Sequence, residues 1–211
     1  FCNEGWPEWL AEFSLEQKWV AISAEQMLKL DELGSGFLIS YMANDVGGDA
    51  QEKSFKHLSL LDLSLPKQKP ICVNFESAKL DYRTQHQYNK KALNKNELIA
   101  KAVAVAPELR VLDATAGLGT DSFVLAAYGC KVVALESSPV VYALLRDGLE
   151  RAQEAVYAGE ITHSARIARR ISLLFADAVS YMRELSLLRG VADERLPQVV
   201  YLDPMYPYVK K

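Results

Sequence analysis

Residues 110–121, Arg-Val-Leu-Asp-Ala-Thr-Ala-Gly-Leu-Gly-Thr-Asp, decide the fold of this chain. The apolar pair Val111-Leu112 predicts a short buried strand over 110–112. Gly117 and Gly119 let the backbone turn tightly and approach a ligand with no side chain between them. A helix is predicted over 121–128, closed by a glycine. The stretch therefore predicts a strand, a glycine-rich turn and a helix in sequence.

The same alternation continues along the chain. Asn94 and Glu97 predict a capped helix start, and Ser138-Pro139 predicts a second helix. Alternating strands and helices favour a parallel sheet with right-handed crossovers. We therefore predict an α/β fold with a doubly wound, Rossmann-like sheet. Its further strands are predicted at 131–135, 171–175 and 199–202.

The first part of the chain has a different pattern. Short apolar runs at 19–22, 37–42 and 71–75 are separated by polar or glycine-containing breaks. This pattern is typical of short strands with a helix or two. We predict a small α+β accessory region over 1–85 and the main domain over 86–211.

The charge is unevenly distributed, although the net formal charge is only −3. Residues 1–65 carry 11 acidic and 4 basic side chains, whereas residues 66–101 carry 3 acidic and 8 basic ones. A basic segment of this kind predicts salt-sensitive contacts with phosphates. The candidates in it are Lys67, Lys69, Lys79, Arg83, Lys90, Lys91 and Lys95. A second basic cluster consists of Arg166, Arg169 and Arg170.

Several classes of protein are disfavoured by composition. No apolar stretch approaches the roughly 20 residues that span a bilayer, and the first ten residues lack a signal-peptide pattern. We expect a soluble, cytoplasmic protein with no membrane partner. The cysteines and histidines lack the spacing of a zinc site, a disulfide framework or a catalytic triad, so no metal is expected. These residues are Cys2, Cys72, Cys130, His57, His86 and His163.

Ligands of doubly wound folds bind beyond the carboxyl ends of the strands, so the residues there are the candidates. Asp113 follows the first strand, and Glu136 follows the second, where a carboxylate can receive both hydroxyls of a ribose. Asp177 follows the third strand and can accept from an adenine amino group, while Ala178 offers its N–H to the ring. The alternatives without a ligand are a solvated glutamate at 136 and a helix cap at 177.

The fourth strand runs into Asp203-Pro204-Met205-Tyr206-Pro207, in which two prolines restrict the backbone. An exocyclic base amine is a poor nucleophile because its lone pair is delocalised into the ring. Hydrogen bonds from the amine to Asp203 and to the Pro204 carbonyl would localise that pair. Tyr206 could stack on an extruded base. We therefore assign these three residues to catalysis.

Three alternative functions are open at this point. A nicotinamide-dependent oxidoreductase also has a glycine loop and an acidic second strand. However, Ser122 stands where its third glycine would be, and Asp113 would repel a pyrophosphate but suits an ammonium group. The second alternative is a methyltransferase that acts on a base amine in RNA or DNA. The third is a non-catalytic RNA-binding module.

The motifs together resemble the RsmJ type of bacterial small-subunit ribosomal RNA methyltransferase. The resemblance covers roughly residues 71–208. It implies a class I, Rossmann-like fold and methyl transfer from S-adenosylmethionine to the 2-amino group of a guanine in 16S ribosomal RNA, with the RNA or the small subunit as partner. The motifs that carry it are Asp113–Gly119 with Asp121, Gly129-Cys130, Leu135-Glu136, Pro139–Val141 and Val199–Pro207.

The resemblance also implies cofactor contacts. By position they fall on Thr120, Asp121, Glu136, Ser137, Asp177, Ala178 and Asp203. This chain departs from the family at Thr120, where arginine is usual, and at Tyr208, where histidine is usual. A complete fold of this class has further strands after 199–202, so we expect C-terminal strands to be missing. The oligomeric state is not predicted.

Overall fold

The computed structural model describes residues 8–16, 37–43, 56–65, 67–77, 80, 83–84, 97–157, 159–188 and 196–204. The chain forms two compact units, Phe1–Val73 and Asn74–Lys211. No helix in these ranges is long and apolar enough to cross a membrane.

The division between the units comes before the predicted boundary at residues 85 and 86. Phe75 stacks on Phe123, with ring centroids 4.5 Å apart. Arg83 pairs with Glu97 and Asp121. These contacts place residues 75 and 83 in the second unit, so the boundary moves toward the N-terminus.

The first unit contains helix α1 (Glu8–Glu16) and a hairpin of strands β1 (Phe37–Ala43) and β2 (Lys56–Asp62). The strands are antiparallel and paired along their whole length. This agrees with the predicted α+β extension. The strand predicted at 71–75 is wrong: only Ile71 forms a bridge, and the Asn74 side chain then accepts the Glu76 N–H in a turn. The apolar run at 19–22 lies outside the described residues.

The second unit is built on one four-stranded parallel sheet, whose strands lie in the order Ile171–Phe175, Lys131–Glu136, Arg110–Asp113 and Val199–Tyr201. This confirms the predicted α/β fold. Its elements are α2 (Leu98–Val103), β3 (Arg110–Asp113), α3 (Thr120–Ala127), β4 (Lys131–Glu136), α4 (Pro139–Glu154), β5 (Val156–Tyr157), β6 (Glu160–Ile161), α5 (His163–Ala168), β7 (Ile171–Phe175), α6 (Ala178–Ser186) and β8 (Val199–Tyr201).

The predicted N-terminal caps are right for one helix and wrong for another. Ser138 caps α4 by accepting the Val141 N–H, with Pro139 in the first turn, as predicted. The predicted capping box before α2 is wrong in its role for Glu97: this residue is the N-cap, but its side chain makes no capping hydrogen bond. It binds Arg83 instead. Asn94 lies outside the described residues.

The core of the second unit lies between the sheet and its helices. Leu112 and Leu135 in the strands are almost fully buried, and so are several large side chains of α3 and α4. Burial of a large apolar side chain contributes about 1.5–3 kcal/mol. The largest buried helix side chains are Phe123, Val124, Leu125, Leu144 and Leu145.

The sheet order makes the carboxyl end of β3 the position where a ligand is expected. Strands β4 and β8 flank β3 on opposite sides, which is the point where a doubly wound sheet reverses its direction of growth. Gly117 and Gly119 turn the chain there with φ of 54° and 75°. A Cβ on Gly119 would overlap Leu145 Cδ1 and lie 3.4 Å from Phe75 Cζ. Glycine at 119 therefore permits both the backbone angle and the packing of α3 beside α4.

We expect Gly119→Ala to lower the free energy of unfolding by about 2–5 kcal/mol. A left-handed backbone at a non-glycine residue costs about 1–2 kcal/mol, and overpacking adds about 1–3 kcal/mol. Gly159→Ala is the matched control, because φ there is 82° and nothing lies within 4 Å of the added Cβ. Urea unfolding of both variants measures the difference, and equal losses would show that the overlap with Leu145 is harmless.

Candidate active site at the carboxyl edge of the sheet

The four parallel strands bring most of the predicted site residues to one edge. These residues are the turn after β3, Glu136 at the end of β4 with Ser137 after it, Asp177 and Ala178 after β7, and Asp203 and Pro204 after β8. This is the expected consequence of parallel strands, whose carboxyl ends meet at the same edge of the sheet. Tyr206 lies outside the described residues.

Glu136 connects two of the strand ends. Its Oε2 accepts the Gly117 N–H at 3.0 Å, and its Oε1 accepts the Ser138 N–H at 2.7 Å. A carboxylate has about four acceptor positions, so two further hydroxyl donors can still be received. The two backbone bonds hold the side chain in one orientation, beside the glycine turn.

The side chain of Asp113 accepts hydrogen bonds that fix the conformation of the turn after β3. It is 1% exposed, and its oxygens accept the Thr115 N–H at 3.1 Å and the Ser122 hydroxyl at 2.6 Å. Burial raises the pKa of this carboxyl, against the lowering effect of those two hydrogen bonds. Its described contacts are therefore with the turn itself, and its contact with an ammonium group stays a prediction.

The position of Asp203 is fixed by backbone hydrogen bonds at the end of β8. The Thr115 Oγ1 accepts the Asp203 N–H at 2.8 Å, and the Tyr201 carbonyl accepts the Ala114 N–H at 3.1 Å. The side chains of Asp203 and Pro204 are exposed. The backbone of Asp203 is thus fixed while its side chain remains accessible.

Asp121 belongs to a network that the sequence did not reveal. Its Oδ2 accepts the Tyr201 hydroxyl at 2.9 Å, and its Oδ1 lies 3.3 Å from Arg83 Nη2. Arg83 also binds both carboxylate oxygens of Glu97, at 2.7 and 3.2 Å. The hydrogen bond to Glu97 is the main cause that raises the pKa of Arg83. Tyr201 lies beside Asp113 in the strand register, so its place in this network depends on a pairing that no local sequence pattern specifies.

The Asp177 side chain caps α6. Ser180 donates its backbone N–H and its hydroxyl to Asp177 Oδ1, at 2.8 and 2.9 Å. These bonds, the backbone one first, lower the pKa of the carboxyl. Asp177 is exposed, so a second acceptor oxygen remains at the edge. Capping and the predicted ligand contact are therefore compatible. Thr120 and Ser137 are also exposed at this edge.

Negative charge collects at the end of β3 and β8. The charges of Asp121 and Asp203 both contribute to raising the pKa of Asp113. They also contribute to raising the pKa of Tyr201 well above its ordinary value, after the larger effects of burial and the Asp121 hydrogen bond. Tyr201 therefore stays a neutral donor. The site favours a cationic ligand over an anionic one.

The structure corrects the predicted phosphate contact at Arg83, because its guanidinium binds two carboxylates. The second basic cluster is also engaged within the protein. Arg166 donates to the Ile161 carbonyl, and Arg169 donates to the Gln153 carbonyl. Arg170 pairs with an exposed glutamate. Lys67 and Lys69 are exposed, whereas Lys79, Lys90, Lys91 and Lys95 lie outside the described residues.

Comparison with known proteins gives the same class as the fold and the site. The model of a family described as putative SAM-dependent methyltransferase matches residues 45–211. A crystal structure of a SAM-dependent methyltransferase from Neisseria gonorrhoeae is 38% identical, with a TM-score of 0.53. That match covers 71% of this chain and 54% of the other. The class is therefore that of the S-adenosylmethionine-dependent methyltransferases.

Curated relatives narrow the class to one family. Ribosomal RNA small subunit methyltransferase J of Pseudoalteromonas atlantica is 41% identical over 90% of this chain and 69% of that protein. The protein of the same name from Hydrogenovibrio crunogenus is 38% identical over 76% of this chain and 54% of its own length. The chain belongs to the family of ribosomal RNA small subunit methyltransferase J. It spans between about half and two thirds of these two relatives.

The raised pKa of Asp113 predicts a dependence of stability on pH. The folded state binds this proton more tightly than the unfolded chain, whose carboxyl has the ordinary pKa of 3.8. Asp113 therefore weakens the fold as pH rises through the raised value. We expect the free energy of unfolding of the wild type, relative to Asp113→Asn, to fall between pH 3.8 and 7.

Asp177→Asn provides the opposite trend as a control. Its carboxyl has a lowered pKa, so the stability that it contributes is present above 3.8 and is lost as pH falls through the lowered value. Urea unfolding of the three proteins at several pH values measures both trends. A difference for Asp113→Asn that does not change with pH would contradict the assigned burial effect.

Proposed function

We propose that this chain binds S-adenosylmethionine at the carboxyl edge of the sheet and transfers its methyl group to N2 of a guanine in 16S ribosomal RNA. The observation that carries the proposal is the position of Glu136. Two backbone N–H groups hold its carboxylate beside the glycine turn, with acceptor positions left for a ribose. The substrate class is supported by the name of the relatives, ribosomal RNA small subunit methyltransferase.

The cofactor follows the order of the strand ends. We place the ribose on Glu136, the adenine beside Ser137, Asp177 and Ala178, and the amino-acid group at the turn after β3. The ligands in that turn are Asp113, Gly117, Gly119, Thr120 and Asp121, with Asp203 close to the sulfonium. The partly exposed carboxylate of Asp121 and the exposed one of Asp203 support this arrangement, because the sulfonium and the ammonium are both cationic.

A dinucleotide fits this edge less well. Ser122 stands at the third glycine position of a dinucleotide loop, and its hydroxyl donates to Asp113. The carboxylates of Asp113, Asp121 and Asp203 would repel a pyrophosphate. This arrangement favours a sulfonium cofactor over a nicotinamide dinucleotide.

The transfer is in line from sulfur to nitrogen. Asp203 and the Pro204 carbonyl accept the hydrogens of the guanine amine and direct its lone pair at the methyl carbon, while Tyr206 stacks on the base. S-adenosylmethionine would supply an electrophilic methyl group here, whose carbon–sulfur bond would break as the bond to the guanine nitrogen forms, leaving a neutral thioether. The alkylated amine then loses a proton to Asp203 or to water. Catalysis depends mainly on positioning.

The partner in this proposal is ribosomal RNA, either free or in the small subunit, and the place of action is the cytoplasm. Lys67 and Lys69 are exposed and remain candidate phosphate contacts. Binding that depends on phosphates weakens as salt rises.

The cofactor assignment is tested by calorimetric titration of the full-length protein with S-adenosylhomocysteine and, separately, with NAD. We expect S-adenosylhomocysteine alone to bind, and Glu136→Ala to abolish the binding because the ribose loses its acceptor. Glu154→Ala is the matched control, since this exposed glutamate ends α4 about 22 Å from its first residue. Binding of NAD alone would overturn the proposed function.

The catalytic assignment is tested with Asp203→Ala. Its fold should be retained, because the hydrogen bond to Thr115 uses the backbone N–H and the side chain is exposed. We expect the rate of single-turnover methylation of unmodified 16S RNA or small subunits to fall by about a hundredfold or more, since the amine is no longer oriented. A near-normal rate would exclude Asp203 from catalysis.

A further inference from the structure

The network around Asp121 suggests a function for two residues that have no part in the proposed chemistry. Arg83, Glu97 and Asp121 are partly buried, with side chains 24%, 13% and 32% exposed. Arg83 binds Glu97 closely through two nitrogens and Asp121 more distantly, at 3.3 and 3.4 Å. One guanidinium thus serves two carboxylates, and the three groups together carry one net negative charge.

This residual charge falls mainly on Asp121. The short, two-point contact of Arg83 is with Glu97, which is the geometry of a strong ion pair. The other oxygen of Asp121 accepts a hydrogen bond from the neutral Tyr201 hydroxyl, which orients the carboxylate without neutralising it. Asp121 therefore retains a partly exposed negative charge in the first turn of α3.

We infer that Arg83 and Tyr201 are positioning residues, which hold the Asp121 carboxylate where it receives the ammonium group of the cofactor. The inference rests on the proposed function. Arg83 fixes one oxygen from the segment before α2, and Tyr201 fixes the other from the last residue of β8. The carboxylate is held from both sides and its side chain is 32% exposed, so acceptor positions remain for a ligand.

The position of Tyr201 also links the two halves of the reaction. Its hydroxyl binds Asp121, its carbonyl accepts the Ala114 N–H, and Asp203 follows two residues later. A shift of Asp121 relative to β8 would therefore change the distance between the amino-acid group of the cofactor and Asp203. The Tyr201 hydroxyl keeps these groups in register.

The test uses Tyr201→Phe, which removes the hydroxyl and keeps the ring. Two ligands are titrated calorimetrically into the full-length protein: S-adenosylhomocysteine, and 5′-methylthioadenosine, which shares the adenosine and the thioether but lacks the amino-acid group. We expect the Kd of S-adenosylhomocysteine to rise about tenfold, because a hydrogen bond to a charged group is lost. The Kd of methylthioadenosine should change by less than about twofold, within the usual scatter of additive sites.

Two further variants separate positioning from a loss of structure. In the Asp121→Asn background, Tyr201→Phe should have no further effect on S-adenosylhomocysteine, because the residue acts through Asp121. Tyr181→Phe is the matched control, since the Tyr181 hydroxyl makes no hydrogen bond with any residue in the described ranges. It should bind both ligands as the wild type does.

Each result bears on a different statement. A selective loss of S-adenosylhomocysteine binding in Tyr201→Phe supports the inference. An equal loss for both ligands, no loss for either, or an undiminished effect in the Asp121→Asn background overturns it while the proposed function stands. If the wild type binds neither ligand, the proposed function fails and this inference fails with it.

Discussion

The buried carboxylate of Asp113 sets the conformation of the turn on which the site is built. At 1% exposure it must be satisfied by protein donors, and it takes them from the Thr115 backbone and the Ser122 hydroxyl. Those bonds tie the end of β3 to the first turn of α3. The Thr115 hydroxyl in turn accepts the Asp203 N–H, so the end of β8 is held against the same turn.

Hydrogen bonds from backbone N–H groups fix much of the rest of the site. Glu136 accepts N–H groups from the turn after β3 and from the start of α4, so that one side chain links two strand ends. Its oxygens are oriented before any ligand arrives, which reduces the ordering required on binding. The carboxylates of Asp121 and Asp203 add an electrostatic preference for a cation. A cofactor with a ribose, a sulfonium and an ammonium group matches both the oriented oxygens of Glu136 and this preference for a cation.

Much of the second unit could be predicted from the sequence. The four strands and the helices α3 and α4 carry clear apolar patterns, and the glycines at 117 and 119 and the cap at Ser138 mark their ends. Elements with weak patterns were missed: strands β5 and β6 have two residues each, and α5 has six. The capping role of Glu97 was wrong because an ion pair with Arg83 takes its carboxylate.

The sequence by itself determined the order of strands and helices, the glycine turn and the carboxylates at the strand ends, because these depend on local periodicity and on residues next to each strand. Only the tertiary structure decided what those carboxylates contact. Arg83 meets Asp121 across 38 residues, and Tyr201 meets it across 80. Such contacts follow from strand order and register, which bring distant segments to one edge and which no local pattern specifies.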